Sequence, residues 1–362
     1  MVSIAERRAR IADLERVRGS RVVSYVLSDR ETFPPGVPGF NPPMQEIHPW
    51  VIELIRDWER VDRLDLVLHT RGGAIESVWP LVSALRARCK TLGVIVPFRA
   101  HSAGTLVCLG AREIVMDDFS ELSPIDPTTG NPFNPRDPGN PQAQLGISVE
   151  DVAAYFDLAR DLAGLRYEDH KVEVFKQLTA QIHPLALGNI QRVSLLIRKL
   201  GRELLAGNSS LTKEDVEGAV DALTTRFYTH LHFISRREAR DLLGNMVVEP
   251  KPELASAIRA LFDAYKSDLK LRERYELPAA IANEPSLSLR VLGGILETTE
   301  RCYVNLTDLH VSQRPKFPPG VQVQVPVGQM VPLDQWPGRL YDYGLDRTGW
   351  VRADDDVEET YA

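Results

Sequence analysis

The sequence predicts an α/β fold in which repeated βαβ units build a parallel sheet covered by helices. Two observations carry this. Short apolar runs such as LDLVL (64–68) and GVIV (93–96) lack the polar alternation of a half-exposed strand, and such runs suit strands buried on both faces. Strand, turn and helix then repeat at short spacing up to residue 117, the pattern that right-handed βαβ connections produce.

The elements follow in order. Residues 4–18 read as an amphipathic helix, and SRVVSYVLS (20–28), rich in β-branched residues, reads as a strand. ETFPPGVPGFNPPM (31–44) carries five prolines and forms no regular element. A helix is predicted over 45–60, a buried strand over 64–70 ending at Arg71-Gly72-Gly73, and a helix over 75–89 with Pro80 near its start. A strand over 92–98, a helix over 102–111 and a strand over 112–117 complete the repeating region. After Asp126 comes a loop of prolines, glycines and asparagines. Helices resume over 148–162, where Ser148 is placed to cap the helix, and over 166–182. In the long helix 187–207, Ile190, Val193, Leu196, Ile197, Leu200 and Leu204 fall on one stripe. A helix over 213–226, a strand over 227–234, and helices over 235–244 and 252–270 precede a strand over 301–312.

Composition limits the partners. A net charge of −7 argues against a nucleic-acid surface, which needs basic residues. Three cysteines without CxxC spacing fit buried thiols in a reducing compartment. The charged N-terminus lacks the apolar core of a signal peptide, and no apolar run approaches the roughly 18 residues that span a bilayer. The expectation is a cytoplasmic protein without a membrane span. Asp117, Asp118 and Asp126 have no His or Cys at ligand spacing, so no metal is expected.

Two glycine-containing turns carry the chemistry. HTRGG (69–73) and RAHSAG (99–104) each follow a strand, one strand–helix–strand unit apart, and open α/β sheets bind ligands at the carboxyl ends of their strands. Gly72 and Gly73 permit close backbone approach to a substrate. Ser102 stands at a helix N-terminus, where the dipole favours negative charge and where a serine also serves as a cap. N–H groups of the glycine turn and of Ala103 could converge on one oxyanion, as acyl transfer requires.

The stretch from Leu64 to Pro127, with LHTRGG, AHSAGT and ELSPIDP, resembles the serine dehydrogenase proteinase family. This family shares the Clp–crotonase fold with Clp protease subunits and signal peptide peptidases. The resemblance resumes at IHPLALGNIQRVSLLIRKL (182–200) and LTTRFYTHLHFISRREARDLLG (223–244). It implies a Clp/crotonase-like core over 61–250 with a long protruding helix. An N-terminal helix, strand and proline-rich loop over 1–60 would lead into that core. A C-terminal α/β extension over 251–335 and a flexible tail over 336–362 would follow it. It implies Ser102 as nucleophile and Gly72, Gly73 and Ala103 as oxyanion donors. It further implies a polypeptide substrate, no cofactor, and assembly as a homo-oligomer, for which helix 187–207 is a candidate interface.

The base is left open by the sequence. Where Clp subunits carry a histidine this chain reads LSPIDP, with Asp126, and where signal peptide peptidases carry a lysine it reads HPLALGN, with His183. His230 and His232 flank the place of the Clp acid and would share one strand face. His183, His230 and His232 are therefore candidate bases, with Lys199 a further one. Each has a structural alternative, as a helix cap, a brace or a subunit contact. The leading expectation is a serine peptidase. The alternatives are an inactive scaffold subunit that retains the fold, and a crotonase-type acyl-CoA enzyme.

Overall fold

The computed structural model describes residues 3–126, 128–129, 131–137, 140–208, 210–227, 229–317 and 336–353. Helix α1 (Ile4–Arg18) opens on Ser3, whose side chain accepts the Glu6 N–H, and closes on Gly19 in the left-handed conformation. Strand β1 (Arg21–Leu27) leads to the proline-rich segment. That segment has little regular structure, yet it buries Val37, Phe40 and Met44. Helix α2 (His48–Ile55) is shorter than expected, with Pro49 in its first turn. Then follow β2 (Val61–His69), α3 (Val78–Arg86), β3 (Cys89–Val96), β4 (Arg99–Ala100), α4 (Ala103–Leu109), β5 (Glu113–Met116) and β6 (Glu121–Leu122).

The second half contains α5 (Val149–Asp157), α6 (Glu168–Gln181), α7 (Pro184–Ala206) and α8 (Lys213–Asp221). These are followed by β7 (Ile234–Ser235), α9 (Arg236–Leu243), β8 (Val247–Val248), α10 (Pro252–Asp268), β9 (Ser286–Glu297), β10 (Cys302–Pro315) and β11 (Arg339–Ala353). Two expectations need correction. Residues 229–233 form turns and irregular backbone, with strand only from Ile234, so no strand alternation sets His230 and His232 on one face. Residues 339–353 form a long strand instead of a flexible tail. The remainder of the expected tail, 354–362, lies outside the described residues.

Contacts divide the chain into two compact units, one of residues 1–70, 87–90 and 250–362, the other of 71–86 and 91–249. In the first, β1 pairs in parallel with β2 and antiparallel with β9, and β9, β10 and β11 continue antiparallel. The sheet is therefore mixed, and the fold is α/β. Helix α1 packs on α10. Between them a buried polar cluster forms: the Arg7 guanidinium reaches Glu297 at 2.9 Å and Asp268 at 2.6 Å, and the Tyr265 hydroxyl donates to Glu297 at 2.8 Å.

In the second unit β3, β5 and β8 run parallel. Helix α4 lies between α3 and α7, and α7 packs on α8. The predicted stripe of α7 is used here: Ile190, Ile197, Leu200 and Leu204 are buried, and Val193 and Leu196 flank them half-buried. A small sheet positions the candidate site. Strand β6 lies at its centre, parallel to β4 on one side and antiparallel to β7 on the other. Among the described residues no helix is long and apolar enough to cross a membrane.

Candidate active site

All features of the site lie in the second unit. Strand β4 runs into His101 and Ser102, and α4 begins at Ala103. Ser102 has φ 50° and ψ −112°, a left-handed conformation that serine seldom adopts. Such strain persists only where neighbours over-determine it, and they do so here. The Ser102 N–H donates to Ser123 Oγ at 2.8 Å, and the Gly104 N–H donates to the His101 carbonyl at 2.7 Å. Thr105 Oγ1 lies 2.8 Å from the Ala100 carbonyl and 2.9 Å from that of Ser123, and accepts the Ser123 N–H at 3.1 Å. Ser102 occupies the N-cap position of α4, but its half-buried side chain makes no capping hydrogen bond.

The glycine turn lies against this serine. Gly72 has φ 92°, and a Cβ on it would stand 2.7 Å from the His101 carbonyl, 2.8 Å from Ser102 Cβ and 3.2 Å from the Ala103 nitrogen. Only a residue without a side chain fits. Gly72 is buried, whereas Gly73 beside it, at φ 154°, is exposed. The structure thus brings Gly72, Ser102 and Ala103 together, as the sequence spacing suggested.

The candidate bases stand apart from one another. His183 caps α7, its Nδ1 accepting the Leu185 N–H at 3.2 Å, and its ring stacks on Phe133 with centroids 4.7 Å apart. His232 is held by Glu238 at 3.0 Å and stacks on Phe227 at 4.5 Å. Lys199 is exposed and lies 3.7 Å from Glu203. His230 is placed differently. Its Nδ1 is 2.9 Å from Asp126 Oδ1, a carboxylate 8 % exposed, and the pair borders a cavity of about 230 Å³. Ser148, Glu150, Asp151, Thr224 and Thr225 also line it. The hydrogen bond to Asp126 raises the His230 pKa, against the opposing effect of burial. Burial, followed by the charge of Asp126, raises that of Glu150.

β7 pairs Ile234 with Leu122 antiparallel, and the turn that precedes it carries His230 to Asp126. β4 pairs Ala100 with Leu122 in parallel, and just beyond it the Ser102 N–H reaches Ser123 Oγ. The chains bearing Ser102 and His230 therefore both lean on the segment Ser123–Asp126. Among the described residues, none of the three histidines hydrogen-bonds Ser102. Sequence reasoning did not find Ser123 or Thr105, the hydroxyls that hold the serine turn. Their one signal is Thr105 three residues after Ser102.

Residues 1–136 match the family model of the ClpP-like SDH-type serine proteinases, so the resemblance read from the sequence is borne out over that stretch. The matched region holds Gly72, Ser102, Ser123 and Asp126, and ends before every candidate base. Two uncharacterized proteins of Methanocaldococcus jannaschii, MJ0137 and MJ1495, are each 31% identical over 120 residues, 33% of this chain. The alignments cover 42% and 41% of their lengths, so the chain spans about two fifths of these relatives. Two solved structures, both mutants of the 1510-N membrane-bound stomatin-specific protease and one of them in complex with a substrate peptide, are 14% identical. They cover 54% and 52% of this chain and 69% and 60% of those chains, with TM-scores of 0.32 and 0.31.

Proposed function

We propose that the protein is a serine peptidase acting on polypeptides, with Ser102 as nucleophile. Ser102 Oγ attacks the peptide carbonyl carbon and its proton passes to His230 Nε2. The N–H groups of Gly73 and Ala103 hold the resulting oxyanion. Collapse of the adduct breaks the C–N bond, and the departing amine takes the proton from His230. Water then releases the acyl group by the same steps in reverse. Assembly as a homo-oligomer and a cytoplasmic setting belong to the same reading.

One observation carries it. A strained serine, with its hydroxyl free of capping duty, is pressed against a glycine turn beside the first N–H groups of a helix. His230 is favoured as base because it has a buried carboxylate partner and borders a cavity. His183 and His232 are engaged in capping and bracing, and Lys199 stands in solvent beside Glu203.

A fluorophosphonate probe tests the reading. It is expected to label the wild-type chain at Ser102 and to leave Ser102→Ala unlabelled. A wild-type chain that stays unlabelled in excess reagent overturns the proposal. The second reading, a scaffold subunit that has lost catalysis, would then stand. It draws on the lack of a hydrogen bond between Ser102 and any candidate histidine.

A further inference from the structure

The segment Ser123–Asp126 forms and breaks no bond in the chemistry above, yet it touches both partners of the proton transfer. At one end the Ser123 hydroxyl accepts the Ser102 N–H at 2.8 Å and donates to the Pro124 carbonyl at 3.1 Å. At the other end Asp126 holds the His230 ring at 2.9 Å. Between them the Ile125 N–H donates to the Leu223 carbonyl at 2.9 Å, and the Ile125 side chain is buried. Ser123 and Asp126 are themselves 2 % and 7 % exposed. The segment continues β6, the central strand of the small sheet, so its backbone is anchored from before residue 123.

We infer that Ser123 and Asp126 are positioning residues for catalysis, acting as the two ends of one spacer that sets the distance and aim between Ser102 and His230. This rests on the serine-peptidase reading above. Ser123 acts on the nucleophile through its backbone, because the Ser102 N–H must stay paired for the φ 50° turn to persist. Asp126 acts on the base. By accepting at Nδ1 it fixes the tautomer that leaves Nε2 unprotonated and able to take a proton. Among the described residues, Glu150 and Asp151 also face the cavity that His230 borders. Arg198 and Asp221, from the neighbouring helices, act on Glu150. A spacer of this kind couples the two ends, so a change at either should alter the same catalytic step.

The test is the second-order rate of fluorophosphonate labelling at Ser102 against pH, with folding checked by thermal unfolding. Asp126→Asn is expected to lower the rate at least 10-fold and to move the midpoint of its pH profile downward, since the imidazolium loses its partner. Asp126→Glu is expected to recover part of both effects. Ser123→Ala is expected to lower the rate about 10-fold without moving the midpoint, and Ser123→Thr to restore it. If Ser102 labels normally in folded Asp126→Asn and Ser123→Ala, the inference is overturned and the peptidase reading stands. It is also overturned if Asp126→Asn loses rate only in proportion to unfolded protein, with the midpoint unmoved in both Asp126 variants. A wild-type chain that does not label overturns both.

Discussion

Two buried polar assemblies, one in each unit, differ in a way that separates scaffold from site. In the first unit, Arg7, Asp268 and Glu297 have side chains 6 %, 2 % and 0 % exposed, and the guanidinium is matched by both carboxylates. Burial pushes the neighbouring Tyr265 hydroxyl and Cys302 thiol well up, so both stay neutral. The assembly is closed and has nothing to offer a ligand. In the second unit, the hydroxyls of Thr105 and Ser123 lead at one side to a strained serine, and along the same segment to a histidine on a cavity. Polar groups buried and mutually satisfied hold a fold together. Polar groups buried at one end and open at the other can exchange protons with what enters.

The largest effect should come from the closed assembly. Arg7→Ala strands two buried carboxylates and is expected to cost about 3–5 kcal/mol, read as a lower urea midpoint. If the loss stayed below about 1 kcal/mol, the contrast would fail at its closed end. Next is Gly72→Ala, whose methyl meets the His101 carbonyl and Ser102 Cβ on a backbone with φ 92°. A cost of roughly 2–3 kcal/mol is expected, together with loss of Ser102 labelling. Unchanged labelling would mean that the two turns do not press on each other.

A smaller effect, of opposite sign, is expected at the nucleophile. Ser102→Gly removes the strain of the left-handed turn and should stabilise the chain by about 1 kcal/mol, while abolishing labelling. A destabilised variant would argue that the serine is there for structure. The smallest effect is a pH linkage. The folded His230 pKa lies above its ordinary value, so its stabilising contribution is complete below that value and fades as pH rises through the folded one. The stability difference between wild type and His230→Gln should therefore shrink on raising pH through this window. It should not exceed about 1 kcal/mol, because the ring is 35 % open to solvent. A difference that grew with pH would break the Asp126–His230 pairing.

Much of the repeating region was legible because burial on both faces leaves a plain signature, as in β2 and β3, and because glycines mark the turns after such strands. Ser102 and Gly72 were found through that spacing. Among the C-terminal strands, β10 was legible over 301–312, while β9 and β11 were not. β9 contains Gly293 and Gly294, and a glycine pair inside a strand weakens its apolar pattern. In the fold Gly293 admits the Gly39 carbonyl, and Gly294 packs on Leu27. β11 is studded with aspartate, arginine and glycine, because much of it faces solvent along the edge of the first unit's sheet. The FYTHLHFI segment failed the other way. Its alternation imitates a strand, while Asp126 and Phe227 hold its histidines in a turn. Ser123 was invisible because a serine that accepts a backbone N–H from 21 residues away leaves no local pattern.

The first unit is assembled from both ends of the chain, with β1 paired to β9 across most of the sequence. During synthesis β1 emerges early and waits for β9, which follows more than 200 residues later, a delay on the order of ten seconds at ordinary ribosome speeds. The chain bearing Ser102, Ser123 and His230 is complete before that partner exists. On the ribosome, the unit that holds the candidate site can therefore fold first, while the edge of β1 that β9 will cover remains open.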